Sequence, residues 1–582
     1  MTPHWKDSDG GLPTALLHNL TRNKRRAFLL LSSLLNLAAL IPAIAAKCSS
    51  PTSTFGADAI LHNSCAGTRY PALCRSAISS SPSLLASISS HTDVILASLN
   101  LTHSAVHRSI LHVHSLSARP NLTLRDRTAL GDCLDMYDDS LDELRDAATH
   151  LRCLAVAAAP SASSSSNIPD SLLVDLEILV SAAMTNQESC LDGFSHSQND
   201  RRLRQSLVAE LTHVTHMCSN ALRMIKNLSV NGGGWRRRTM GRNREAWPEW
   251  MRKADRRRME SEELAADAVV AGDGSGDYRT VQEAVEAAPE KSKKRHVIRI
   301  KAGTYVENVE VPKKKKNLMF VGDGRKTTVI TGNSNVKDGC TTFRSATLAV
   351  VGNGFLARGL RIENTAGPSK DQAVALRVVA DLSAFYECDI VGHQDTLYVH
   401  SHRQFFRSCL VQGTVDFIFG SAAAVFQDCD IQARRPDPGQ KNMITASGRN
   451  DPDFPTGIII HRSRIAAAPD LAPVAASFKT YLGRPWKMYS RTVVLESEIS
   501  DVIEAEGWHE WNGSFALDTL YFGEFRNTGP GAVTGGRVKW KGHRVISNVS
   551  EAEEFTPGSF IAGADWLKAT GFPFSLGLST NQ

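Results

Sequence analysis

The sequence predicts two architectures in tandem, an all-α helical part followed by an all-β solenoid, and three observations carry that prediction. The pattern F-x-x-C-x-Φ starts at Phe385, Phe406 and Phe426, with Ile390, Val411 and Ile431 at Φ, so its copies lie 21 and 20 residues apart. A fainter copy without the cysteine runs from Phe355 to Leu360. Short apolar strands at a fixed period of about 20 residues or more mark the stacked turns of a solenoid. Ahead of this region, LTHSAVHRSILHVHSL and TALGDCLDMYDDSLDELRDAATHL place apolar residues at three- and four-residue steps, and no glycine falls between Gly131 and Gly193. That is the periodicity of packed amphipathic helices. From Ala266 the composition changes: glycines become frequent and β-branched runs short, as in DGSGDYRTVQEAVEAAP and HVIRIKAGTYVENVEV.

A chain of 582 residues exceeds one ordinary domain. Its formal charge of +6 suits an acidic partner, whether nucleic acid, membrane or polysaccharide, and does not choose among them. Eleven cysteines point to an oxidising compartment. Residues 1–26 end in Arg22, Lys24, Arg25 and Arg26, and residues 27–46 carry no charge. Twenty uncharged residues behind a basic flank read as an export segment that leaves the N-terminus cytosolic. The long apolar run fits a signal anchor, and the A-x-A-like Ala43 and Ala45 fit a cleaved signal peptide. Residues 1–47 therefore form a cytosolic stub with its anchor or signal. On an exported chain the N-x-S/T sites at Asn100, Asn121, Asn227, Asn512 and Asn548 become candidate glycosylation sites, whereas Asn19 stays on the cytosolic side.

The helical part is assigned to 48–230, with PSASSSSN (160–167) as a loop between helices. Cys65 and Cys74 are close enough to staple a helical hairpin, and Cys133 and Cys190 could tie two long helices. The region 231–262 reads as a linker. It opens on Gly232, Gly233 and Gly234, and from Arg236 to Arg258 it carries ten basic and three acidic residues. Arg236–Arg238 and Arg256–Arg258 are candidate cleavage sites for a processing protease.

The solenoid, 263–582, begins with a short helix expected over Val281–Ala288 as a cap and ends in FTPGSFIAGADWL, expected to pack on the outside. Its period has a chemical consequence. Asp395 follows Cys388 by seven residues, and Asp416 follows Cys409 by seven. The two aspartates should stack on adjacent turns of one face, with Gln372 on the turn before and Gln394 adjoining. Carboxylates that close do not both ionise easily, so one pKa rises while the other stays low. Such a pair suits acid/base chemistry at mild pH. Tyr398 and Phe419, each three residues beyond an aspartate, should lie side by side.

Four segments carry a family resemblance: DQAVALR (371–377), GHQDTLYVH (392–400), GTVDFIFG (413–420) and YLGRPW (481–486). With DGSGDYRTV, TTFRSAT and GWHEWNG they resemble plant pectin methylesterase throughout 266–582. ALGDCLDMYDDSLDEL and LVSAAMTNQESCLDGF resemble the plant invertase/pectin methylesterase inhibitor family. The resemblance implies a four-helix bundle with two disulfides, Cys65–Cys74 and Cys133–Cys190, followed by a right-handed parallel β-helix. It implies hydrolysis of methyl esters of homogalacturonan in the cell wall, with the helical domain autoinhibitory. It implies no cofactor, metal or nucleic acid; the partners are pectin, an inhibitor-like domain and a processing protease, with the membrane met only through 27–46.

The residue types support those roles. An ionised Asp416 can attack the ester carbonyl, with Arg484 orienting it and holding its pKa down. Asp395 can protonate departing methanol and then take a proton from water. Gln394 and Gln372 can donate to the oxyanion. Thr342, Tyr398, Phe419, Trp486 and Trp508 are the candidate substrate contacts, with Trp511 as an alternative to Trp508. Cys388–Cys409 is the disulfide that the family pattern favours, although Cys409–Cys429 is also within reach. The chain departs from the family at His393, at Ser447 and in the RRRM run at 256–259. A lyase or glycosidase on a similar solenoid is one rival reading, and a wall-binding or inhibitor protein with weak or no esterase activity is another.

Overall fold

The computed structural model describes residues 54–157, 170–194, 198–231 and 265–579. The uncharged run at 27–46, the loop at 160–167 and the linker beyond residue 231 lie outside the described residues. Among the described residues no helix is long and apolar enough to cross a membrane.

The first part is helical: α1 (Thr54–Ala66), α2 (Pro71–Ser79), α3 (Pro82–Ala86), α4 (His91–Ser117), α5 (Leu124–Ala157), α6 (Asp170–Asp192) and α7 (Gln198–Asn231). The four long helices pack in a closed ring, α4 on α5, α5 on α6, α6 on α7 and α7 on α4. Their apolar stripes, including Val106, Tyr137, Leu151, Val180 and Leu222, fill one core. Cys65–Cys74 joins α1 to α2, and Cys133–Cys190 joins α5 to α6.

The second part begins with β-structure at Ala268–Val270 and a capping helix, α8 (Val281–Ala287). Thr280 and Glu283 close α8's N-terminus as a reciprocal capping box. Beyond it the chain coils through three parallel sheets of eleven, seven and eight strands, in which each strand pairs with its counterpart one coil away. The register confirms the sequence repeat: Phe385, Phe406 and Phe426 are cross-strand neighbours, as are Ile390, Val411 and Ile431. The three phenyl rings stack at 4.9 and 4.6 Å. The fainter copy is out of step, because Phe385 pairs with Ala357 rather than Phe355. Each coil turns a corner on one residue in the left-handed region: Glu387, Ser408, Asp428, Arg462, Glu496 and Arg526 all have φ of 46–52°. The tail helices Pro557–Phe560 and Gly563–Trp566 pack on the outer face of the eleven-stranded sheet, against residues such as Phe405 and Val425.

The cysteine ladder corrects one expectation. Cys388, Cys409 and Cys429 stack inside the coil as free thiols, not as a Cys388–Cys409 disulfide. Each Sγ lies 3.4–3.6 Å from backbone carbonyls of its own or the preceding coil, for example Cys409 to Arg407 and Phe385. The thiols fill the core as small apolar groups with weak S–H donors.

Candidate active site

The seven-stranded sheet presents the site. Its outward row is set by register: Arg377 lies beside Tyr398, Tyr398 beside Phe419, Phe419 beside Ala446, and Ala446 beside Arg484. Tyr398 and Phe419 stack at 4.2 Å, and Trp486 meets Phe419 edge-on at 5.9 Å. Asp395 and Asp416 stand two residues before the strands Leu397–Val399 and Ile418–Gly420. Both take left-handed backbone, with φ of 60° and 50°, a conformation that aspartate tolerates better than most side chains. The repeated turn therefore brings both carboxylates to one face of the coil.

Arg484 clamps Asp416 through two parallel hydrogen bonds, Nε to Oδ1 at 2.8 Å and Nη2 to Oδ2 at 2.7 Å. This bidentate geometry fixes the carboxylate plane. Arg484 is itself covered by the Trp511 ring, whose centroid lies 4.4 Å from the guanidinium. Burial pushes Asp395 well above the ordinary carboxylate range, and the charge on Asp416 adds to that rise. Asp416 corrects a second expectation. Burial raises its pKa too, and Arg484 opposes the rise without reversing it. Asp395 is the more strongly raised of the two, so a single proton shared by the pair favours Asp395.

A cavity of about 370 Å³ brings most of the expected site residues together: Asp395 and Asp416, Gln372 and Gln394, Arg484 and Trp486. Thr342, Tyr398 and Phe419 line it as well. Register places Val374, rather than Gln372, two residues before its strand at the level of Asp395, but Gln372 still reaches the cavity from the preceding coil. Its Oε1 is buried with no hydrogen-bond partner among the described residues.

Trp508 does not belong to this wall. It is 1 % exposed in the coil interior, stacks on Phe522 at 4.3 Å and donates from Nε1 to Glu524. The indole that joins Trp486 in lining the cavity is Trp511, three residues on. The motif GWHEWNG contains both tryptophans, and Trp508 is the one that bridges Gly483 within the coil. His393 is half-buried with its pKa drawn down to about 4 by burial and Arg434, so it stays neutral. Ser447 is fully buried, and its Oγ accepts from the Arg491 amide, away from the cavity.

The other wall comes from the helical part. Asp132 and Met136 of α5, and Ser189, Cys190 and Asp192 of α6, line the same cavity. Ser189 Oγ lies 3.2 Å from the Tyr398 hydroxyl. Lys487, next to Trp486, donates to Asp192 at 2.8 Å and lies 3.7 Å from Glu188. In return, the solenoid turn at 451–454 enters the bundle. Asp451 accepts from Ser219 and Arg69, Asp453 pairs with Arg223 at 2.7 Å, and Phe454 is buried in the bundle core.

Comparison with known proteins agrees with this geometry. The Pectinesterase family profile matches residues 267–564. The Plant invertase/pectin methylesterase inhibitor profile matches residues 59–224. Pectinesterase 1 of Citrus sinensis is 54 % identical over 574 residues, which is 97 % of either chain. Pectinesterase/pectinesterase inhibitor U1 of Solanum lycopersicum is 53 % identical over 577 residues, 96 % of this chain and 97 % of its own. The solved structure of a pectin methylesterase from carrot, at 67 % identity and a TM-score of 0.54, covers 55 % of this chain and all of its own.

Proposed function

Since the chain belongs to the pectinesterase family, with an inhibitor-family segment ahead of its solenoid, we propose that it is a latent esterase that hydrolyses methyl esters of polygalacturonate in the cell wall. The observation that carries this reading is the Arg484 clamp on Asp416 beside a more strongly raised Asp395. One carboxylate is oriented as a nucleophile and its neighbour is kept protonated.

In this mechanism an oxygen of Asp416 attacks the ester carbonyl carbon. The carbonyl oxygen becomes an oxyanion and accepts hydrogen bonds from the side-chain amides of Gln394 and Gln372. Collapse of the tetrahedral intermediate breaks the bond to the methoxy oxygen. Asp395 gives its proton to that oxygen, methanol leaves, and Asp416 is left as an anhydride with the uronate carbonyl. Asp395, now ionised, takes a proton from water as the water attacks the same carbon. Collapse frees the Asp416 carboxylate and the uronic acid, which gives up its proton to solvent, and Asp395 is again protonated. Thr342, Tyr398, Phe419, Trp486 and Trp511 form the groove wall. Arg484 is the positioning residue for Asp416.

The helical domain keeps this site silent, because Ser189, Asp192 and Asp132 close its open side. Release requires cutting the 231–262 linker by a processing protease after export through the 27–46 segment. Methanol release from esterified pectin, measured against reducing-end formation, tests the reaction. Methanol without new reducing ends is expected, and new reducing ends would overturn the esterase assignment in favour of chain cleavage.

A further inference from the structure

The solenoid carries a second cavity, of about 350 Å³, on its eight-stranded sheet, and it shares no lining residue with the catalytic one. The strands Asp389–Val391, Leu410–Gly413 and Asp430–Ala433 supply its floor. Register sets Asp389 beside Leu410 and Leu410 beside Asp430. Their neighbours Ile390, Val411 and Ile431 belong to the core, so the pleat turns the first three side chains outward. The floor is one apolar side chain flanked by two carboxyls, roughly 9.6 Å from end to end at two strand spacings.

The turn at 323–327 forms the opposite wall. Arg325 donates from Nη1 to the Ser408 carbonyl at 3.3 Å, and so crosses the two strands that lie between them in the sheet. The same Nη1 lies 3.5 Å from Asp389 Oδ1. Lys326, beside it, is exposed and lines the cavity with no hydrogen bond or ion pair among the described residues.

Two oxygens of this cavity are idle. Asp389 is 4 % exposed, yet its Oδ1 has no hydrogen-bond partner among the described residues, and neither has the buried Oδ1 of Asp430. Asp430 Oδ2, by contrast, accepts from Gln432 at 2.6 Å and from Arg464 at 2.7 Å, and Asp428 is paired with Arg407 and Arg462. Burial raises the pKa of Asp389, and Arg325 opposes the rise. A buried carboxylate oxygen without a donor is costly until something brings one.

The groups that are missing define the ligand. A divalent cation needs several oxygens around one point, whereas these carboxyls stand two coils apart and share their cavity with Arg325 and Lys326. A primary amine meets the same two cations. Sugar hydroxyls donate without carrying charge, the C–H face of a pyranose ring can cover Leu410, and a carboxylate on that ring answers the idle ammonium of Lys326.

We propose that this cavity binds a uronate residue of an acidic polysaccharide, with its hydroxyls on Asp389 and Asp430, its C–H face on Leu410 and its carboxylate on Lys326 and Arg325. The solenoid then meets polymer on two faces, one that reacts and one that only grips. The site stands on its own lining and does not rest on the esterase reading.

The test titrates the full chain calorimetrically with trigalacturonate and with neutral galactotriose. The acid should bind saturably, and the neutral sugar about fivefold more weakly, because it lacks the charge that Lys326 meets. Lys326→Ala should weaken the acid by the same factor and erase its advantage, and Lys326→Arg should restore it. Asp430→Ala should weaken both sugars alike. Trp511→Ala, in the catalytic cavity, should alter neither. Absence of saturable binding, an affinity untouched by Lys326→Ala, or one abolished by Trp511→Ala overturns the proposal.

The carrot chain, 67 % identical and complete within the solenoid region, shows that this part folds without a helical domain. Every residue of the second cavity lies within 265–579, so that segment should keep the Lys326-dependent site, and its disappearance there would equally overturn the proposal. Failure of this binding leaves the esterase reading standing, since none of these residues lines the catalytic cavity, and failure of methanol release leaves the second cavity standing.

Discussion

The hydroxyl of Ser189, on the last turn of α6, lies 3.2 Å from the phenol of Tyr398, in the aromatic row beside the two aspartates. Its neighbour Cys190 is pinned to α5 by a disulfide, so the α6 end that closes the cavity is held rigidly. Removing residues 54–231 should raise methanol release at least tenfold over the full chain. Asp192→Lys, which sets a cation against Lys487, should recover part of that gain in the intact chain. Equal specific activity of the full chain and the 265–579 segment would count against latency.

Asp416→Ala should lower kcat by at least about a thousandfold, since no other carboxylate is clamped at that point. Asp395→Asn should cost about 10²–10⁴ in kcat, the usual range for a general acid/base. Trapping of an acyl-enzyme by rapid quench should succeed in Asp395→Asn and fail in Asp416→Ala. An acyl adduct in the alanine variant would assign the nucleophile elsewhere.

The two tryptophans of GWHEWNG should behave oppositely. Trp508→Ala removes a buried ring stacked on Phe522 and should cost about 3–5 kcal/mol of stability in a denaturant titration. Trp511→Ala removes the ring over Arg484 and should cost about 1 kcal/mol in kcat/KM, roughly fivefold, with little change in melting. A large KM effect from Trp508 with unchanged stability would restore it to the groove.

Docking of the helical domain should be tighter in acid. Burial raises Asp139 from 3.8 to about 6 over the opposing pull of Lys313. A carboxyl with a raised pKa holds its proton more tightly in the docked state. The docked form is therefore favoured most below pH 4 and loses that advantage as pH rises through about 6. Burial also raises Asp132, Glu143, Asp175 and Glu188 at the same interface. His402, 3.6 Å from Glu143, is drawn down by burial and works the other way below its ordinary range. Activation by cleavage, compared at pH 5 and pH 7.5, should be smaller at pH 5, where the cut helical domain stays docked. Asp139→Asn should flatten the difference, and an unaltered profile would remove Asp139 from the account.

The solenoid and the pairing of Asp395 with Asp416 were legible in the sequence because a coil repeats locally. A period of 20 or 21 residues places Phe385, Phe406 and Phe426 in one stack, and the same offset carries Asp395 and Asp416 to one face. The helical periodicity likewise showed the α4–α7 region before any coordinate did. Where the repeat loosened, the reading slipped: Phe355 is out of step with Phe385, and Trp508 turned inward.

The sequence by itself determined the order of architectures, most of the residues that meet in the candidate site and the family to which the chain belongs, since each depends on spacing along the chain. Only the tertiary structure decided that the ladder thiols stay free, that burial outweighs Arg484 at Asp416, and that α5 and α6 close the catalytic cavity. Those outcomes depend on desolvation and on contacts between residues some 200 or more positions apart, such as Asp132 with Arg344, for which no local pattern exists.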